Sequence, residues 1–208
     1  MANAEEVPKT TGDKGEELSS KWHGELKMVI NCSIEKAWEL TSDFCGMQRW
    51  VDTTESCECV EGEPQKPGCV RFLYGGSFPR ADGGKSWARE KLLALDDENR
   101  TLSYAMLENN FGLSGYRATY RLHDQGDGAV LVDWSFEVDP IAGSTEQKTA
   151  DYMTGVFRSV LKKLEALVNS NSELERSRNN TSSESGRAIG NASDSSNLSD
   201  LSSTPICL

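Results

Sequence analysis

The chain has 208 residues and a formal net charge of −11, from 33 acidic and 22 basic side chains. That balance excludes a general nucleic-acid or anionic-membrane binder, which needs basic patches. No apolar run approaches the roughly 18 residues that cross a bilayer, so no membrane span is expected.

Met1 to Ser20 is polar and acidic and reads as a disordered leader without the apolar core of a secretory signal. Six cysteines stand at 32, 45, 57, 59, 69 and 207, and the only histidines are His23 and His123. No C-x-x-C or His-rich spacing joins them. Cys57 and Cys59 make a C-x-C within a strand pattern, where both point to one face. Without a second ligand pair, the spacing predicts reduced, mostly buried thiols of a cytoplasmic protein rather than a zinc site.

Trp22, Gly24, Leu26, Met28 and Ile30 alternate with polar residues, the period of a half-buried strand. Ser33 is a good N-cap for a short helix through Ile34, Ala37, Trp38, Leu40 and Thr41. A second short helix is expected over Asp43 to Trp50, with Gly46 interrupting its regularity. Strands follow at Ser56 to Glu61, Cys69 to Tyr74, Ser86 to Leu95, Thr101 to Glu108, Gly115 to His123 and Ala129 to Val138. Short polar turns join several of them, which implies an antiparallel meander. The glycine-rich connection from Gly75 to Gly84 lacks a Gly-Lys-Ser/Thr run leading into a helix, so it reads as a flap at a pocket mouth rather than a phosphate loop.

The longest pattern runs from Ser144 to Val168. Tyr152, Met153, Val156, Phe157, Val160, Leu161, Leu164, Leu167 and Val168 follow the i, i+3, i+4, i+7 spacing of one helix face. Ser144 is the expected N-cap, with Gln147 as its capping-box partner. Residues 169–208 are rich in Ser and Asn and read as a disordered tail. One folded domain over residues 21–168 is therefore expected, large enough to bury a sizeable core.

Alternation also selects polar residues. Arg71 shares a face with Cys69 and Leu73; Glu90 shares one with Ala88, Leu92 and Ala94; Tyr116 shares one with Ala118, Tyr120 and Leu122. In the last strand Val130, Val132, Trp134, Phe136 and Val138 lie together. If these faces look toward the long helix, Arg71, Glu90 and Tyr116 enter an apolar interior, where an unpaired charge is costly. One reading is a buried ion pair that only fixes the sheet. The other is a pocket in which Glu90 moves a proton while Arg71 and Tyr116 hold a polar oxygen. Leu73, Leu92, Trp134 and Phe136, with Tyr152, Val156 and Phe157 of the helix, are the expected apolar wall.

The order strand, two short helices, six strands and long helix resembles the Bet v 1-like helix-grip superfamily, also called the START-like or polyketide cyclase group. Within it, the chain resembles the plant lachrymatory-factor synthase family. The similar stretches are Gly62-Glu63 through Gly68-Cys69-Val70-Arg71, Trp87 through Asp96, Gly115-Tyr116-Arg117-Ala118-Thr119 and Asp133-Trp134-Ser135-Phe136. The resemblance implies an α+β fold, with a curved seven-stranded antiparallel sheet around a cavity. It also implies an isomerase that converts a sulfenic acid to a thial S-oxide. Glu90 would shuttle the proton, Arg71 and Tyr116 would bind the sulfenic oxygen, and no metal or organic cofactor would be needed. The expected partner is a small hydrophobic or sulfur-containing molecule. The alternative is a non-catalytic carrier or receptor similar to the abscisic-acid receptors. Their hormone-anchoring lysine has no match between Thr53 and Glu63, and Glu108-Asn109-Asn110-Phe111 does not resemble their latch.

Overall fold

The structure is a computed structural model that describes residues 20–187 except 77, 79 and 81. By internal contacts the chain divides into two units, Met1–Val168 and Asn169–Leu208. In the first, the alternating segments form β1 (Trp22–Asn31), β2 (Thr54–Glu61), β3 (Val70–Gly75), β4 (Trp87–Asp96), β5 (Thr101–Asn109), β6 (Arg117–Gly126) and β7 (Ala129–Val138). They make one antiparallel sheet in the order β1-β7-β6-β5-β4-β3-β2. Strands β2 to β7 are a meander, and β1 adds to the free edge of β7. Helix α1 (Ile34–Ser42) and a 3-10 turn (Met47–Arg49) take the chain from β1 to the far edge. Helix α2 (Glu146–Arg187) follows β7. This is the α+β helix-grip architecture, a curved seven-stranded sheet with a long C-terminal helix.

Local chemistry explains each element. The Ser33 Oγ accepts from the Lys36 N–H and caps α1, which buries Ile34, Ala37, Trp38 and Thr41. Gly24 lies opposite Phe136 in the β1–β7 register, and a Cβ there would stand 2.3 Å from the Phe136 ring. The missing side chain lets that ring lie over the strand. Register shifts in β2, β4 and β6 mark bulges that bend the sheet.

Four local expectations are corrected. The Asp43–Trp50 helix shrinks to the 3-10 turn, because the Gly46 region does not sustain a longer one. The cap of α2 is Thr145 rather than Ser144: the Thr145 Oγ1 accepts from the Lys148 N–H at 3.3 Å and its carbonyl accepts from Thr149. Gln147 bonds forward to Asp151 and not back to a cap. The shift between Leu92 and Ala94 turns Ala94 out to solvent and brings Leu95 toward the core. Helix α2 also runs to Arg187, past the Val168 limit of its apolar stripe. Adding turns to an existing helix avoids the cost of nucleation, and Glu173, Leu174, Glu175 and Arg176 are good helix formers. The leader before Ser20 and the expected tail beyond Arg187 lie outside the described residues.

The core sits between the inner face of the sheet and α2. Met153, Phe157, Val160, Leu161, Leu164 and Val168 are buried on the helix, against Leu26, Ile30, Leu102, Leu122, Val130 and Val132 among the strand residues. Burying each such side chain is worth about 1.5–3 kcal/mol, which is what fixes the helix on the sheet.

Candidate functional site: a polar pair in an apolar cavity

The β3–β4 register sets Arg71 directly opposite Glu90. Both side chains point inward and are about 95% buried, at 6% and 5% exposure. Arg71 Nε and Nη2 donate to Glu90 Oε2 at 2.8 and 2.6 Å, and Nη1 donates to the Phe44 carbonyl at 2.5 Å. The guanidinium lies 4.1 Å from the Phe44 ring centroid and 5.6 Å from that of Tyr104. Every nitrogen of Arg71 is thus engaged, which is what a buried cation requires. Desolvation opposes its charge, but Glu90 outweighs that and the guanidinium is held more firmly protonated than usual. Both Arg71 bonds to the carboxylate fall on Oε2, so Oε1 takes neither of them. A register shift in the β4–β5 pairing lies beside Glu90, a common way to re-aim a side chain at a site.

The pair opens onto a cavity of about 60 Å³, room for several water-sized groups. Arg71, Leu73, Glu90, Tyr116, Trp134, Val156 and Phe157 line it, as alternation predicts. Tyr116 does not touch the ion pair directly. Its ring centroid lies 6.1 Å from that of Tyr104, whose own centroid is 5.6 Å from the Arg71 guanidinium. Burial pushes the Tyr116 phenol well above its ordinary range, with neighbouring Tyr104 adding to the effect. Burial likewise raises the Tyr104 phenol, and Glu90 raises it further. Both hydroxyls are therefore neutral donors at physiological pH. The Trp134 indole Nε1–H is buried in the cavity wall, interacts with the Tyr104 phenol and makes no close hydrogen bond among the described residues. Its ring is held flat against Phe157, 4.1 Å between centroids and 2° from parallel.

Three expected wall residues do not line the cavity. Leu92 is fully buried in the packed core. Phe136 stands behind the wall, stacked on Tyr116 at 5.9 Å and edge-on to Phe157 at 5.8 Å. Tyr152 is 47% exposed and sits outside, 6.3 Å from Phe78. Alternation gives the face of a residue but not how far along the strands or helix the cavity extends. Tyr104 and Met106, which do line it, were missed although the signal was present: Leu102, Tyr104 and Met106 alternate on β5.

The glycine-rich connection lies at the cavity as expected, through Gly75, Gly76 and Phe78. The Phe78 ring stacks on Phe111 at 4.8 Å, and Arg80 Nη1 donates to the Asn110 carbonyl at 2.6 Å. These contacts tie it to the β5–β6 connection. Gly75 has φ +76°, and a Cβ there would stand 2.5 Å from the Thr53 carbonyl oxygen, so only glycine fits where the chain leaves β3.

A curved sheet and a long helix enclosing a largely apolar cavity with a few convergent polar groups define a small-molecule-binding helix-grip protein. The chain matches the model of the polyketide cyclase / dehydrase and lipid transport family over residues 5–169, and it belongs to that family. It is 23% identical over 140 residues to the abscisic acid receptor PYL2 of Arabidopsis thaliana, covering 65% of this chain and 71% of the receptor. Among solved structures it is similar to the protein XoxI from Bacillus cereus, with a TM-score of 0.59, 23% identity, and 72% and 97% of the two chains covered. An uncharacterized protein from Bacillus thuringiensis gives a TM-score of 0.58 at 24% identity, with 70% and 98% covered. These structural likenesses speak to the fold alone. No described helix is long and apolar enough to cross a membrane.

Proposed function

We propose that the cavity takes a small, mainly apolar molecule carrying one polar oxygen, and that Glu90 transfers a proton on it. The carrying observation is the buried Arg71–Glu90 pair at the wall of a largely apolar cavity, in which Arg71 occupies only one carboxylate oxygen. Glu90 Oε1 is the proton carrier in this reading. The Tyr116 and Tyr104 hydroxyls and the Trp134 N–H supply donors for the ligand oxygen. Arg71 holds Glu90 in place and lends positive charge to the site. The resemblance to lachrymatory-factor synthases makes a sulfenic acid the first substrate to try, with isomerisation to a thial S-oxide as the reaction.

A second reading, ligand carriage or reception without turnover, is favoured by the similarity to an abscisic acid receptor. Against a carboxylate hormone stands the wall itself. The described lining has no lysine, and its one guanidinium is committed to Glu90. The two readings part at Glu90→Gln. In the enzyme, turnover of a freshly generated sulfenic acid falls by at least about 10²-fold while the melting transition remains cooperative. Turnover equal to the parent would remove Glu90 as the proton carrier. In a carrier, no turnover occurs with either form and the substitution only changes affinity.

A further inference from the structure

Next to the polar pair, where Cys59 stands opposite Arg71 in the β2–β3 register, three cysteines meet. Cys45 comes from the connection after α1, Cys59 from β2 and Cys69 from the turn before β3. Their sulfurs all lie within 4.8 Å of one another. Cys69 Sγ is 3.5 Å from Cys59 Sγ and 3.7 Å from Cys45 Sγ. Thiolates on a tetrahedral zinc ion, each at ~2.3 Å, stand about 3.8 Å apart. Two of the three sulfur pairs already have that spacing, although the cysteines are 10 to 24 residues apart in the chain.

The surrounding backbone fixes this geometry. Gln65 has φ +65° and its amide bridges two segments, accepting from the Phe44 N–H at 2.8 Å and donating to the Ser42 carbonyl at 2.8 Å. That clamp brings the Cys45 segment to the 62–69 turn. Cys69 is pinned on both sides: its N–H donates to the Lys66 carbonyl and its carbonyl accepts from Leu92. The carbonyls of Glu61 and Gly62 lie 3.5 and 3.7 Å from Cys59 Sγ, so further electron-rich oxygens face the cluster. Cys45 and Cys59 are only partly buried, which leaves a route in for an ion.

We propose that Cys45, Cys59 and Cys69 form a three-thiolate site for zinc, with the fourth tetrahedral position left to solvent or an exogenous ligand. Soft sulfur ligands select zinc over magnesium or calcium. Three strong ligands from three separate segments would cross-link the connection after α1, strand β2 and the turn before β3 at the edge of the sheet.

The test is a titration of the full-length, fully reduced protein with Co²⁺ as the spectroscopic stand-in for zinc. A thiolate-to-cobalt charge-transfer band should saturate at one Co²⁺ per chain and be bleached by Zn²⁺. Cys45→Ser, Cys59→Ser and Cys69→Ser should each weaken binding by at least about tenfold, since each removes one of three protein ligands. Cys32→Ser, remote from the cluster, should leave it unchanged. No band, a Co²⁺ affinity in Cys59→Ser equal to that of the parent, or a band lost in Cys32→Ser would overturn the proposal. Where a variant fails to fold, alkylation of the parent protein decides: zinc should protect Cys45, Cys59 and Cys69 together. Protection of a different set, or of none, refutes the site.

Discussion

The space under α2 has two unlike ends. At one, Ile30, Leu102, Leu122, Val130, Val132, Leu164 and Val168 are buried with no polar side chain among them. At the other, Arg71, Glu90, Tyr104, Tyr116 and Trp134 surround a cavity closed by Val156 and Phe157 of the same helix. Strands β5 and β7 serve both ends, β1 and β6 add to the apolar one, and β3 and β4 supply the ion pair of the other. The apolar end supplies stability at little risk. The polar end buries an ion pair, which well-packed apolar residues could replace without loss of stability. A site that is dispensable for folding is where function is to be sought.

That contrast can be tested by substitution. The largest effect on stability is expected for Arg71→Ala, which strands the Glu90 carboxylate and should cost about 3–5 kcal/mol in chemical denaturation. The double replacement Arg71→Met with Glu90→Leu should recover most of that loss while ligand binding stays absent. If the double variant is as unstable as the single one, the pair is a structural element and the functional reading of this end loses its basis. At the apolar end, Leu164→Ala should cost about 2–5 kcal/mol and leave ligand affinity unchanged in calorimetry.

The buried phenols predict a decline in alkaline solution. Tyr104, Tyr116 and Tyr120 have folded pKa values raised above the ordinary 10.0, chiefly by burial. Their contribution to stability is intact below pH 10 and is lost as pH climbs toward the folded values, because the unfolded chain gives up these protons first. Each phenol should remove about 1.4 kcal/mol per pH unit across that window. Tyr116→Phe should make the fall of the denaturation midpoint above pH 10 shallower, and an unchanged slope would show that Tyr116 titrates freely.

The smallest effect expected is that of Trp134→Phe. The N–H makes no close hydrogen bond among the described residues, so its removal should lower stability little. Ligand affinity should drop by roughly 1 kcal/mol, about fivefold, if that N–H binds the ligand oxygen. Equal affinity in both proteins would take Trp134 out of the recognition set.

Much of this was written in the order of residues. Alternation in β1 and β3 to β7 and the i, i+3, i+4 stripe of α2 record which surfaces meet water, and that depends on local period alone. The same periodicity turned Arg71, Glu90 and Tyr116 inward before any distance was known. It failed at Ala94, because a bulge changes the phase of a strand without marking the sequence. It failed at Tyr152 and Phe136 because facing the core is not the same as facing a cavity.

Pairing across strands was decided only by the fold. The β3–β4 register joins Arg71 to Glu90, and the Gln65 clamp carries Cys45 to Cys59 and Cys69. Neither partnership has a spacing that could be read along the chain, since each depends on loop closure over many residues. The sequence by itself determined the fold class and the inward faces, because burial leaves a periodic trace in composition. Which polar atoms meet on those faces was left to the tertiary structure, because hydrogen bonds and ion pairs form at about 3 Å and only register and loop geometry set distances that fine.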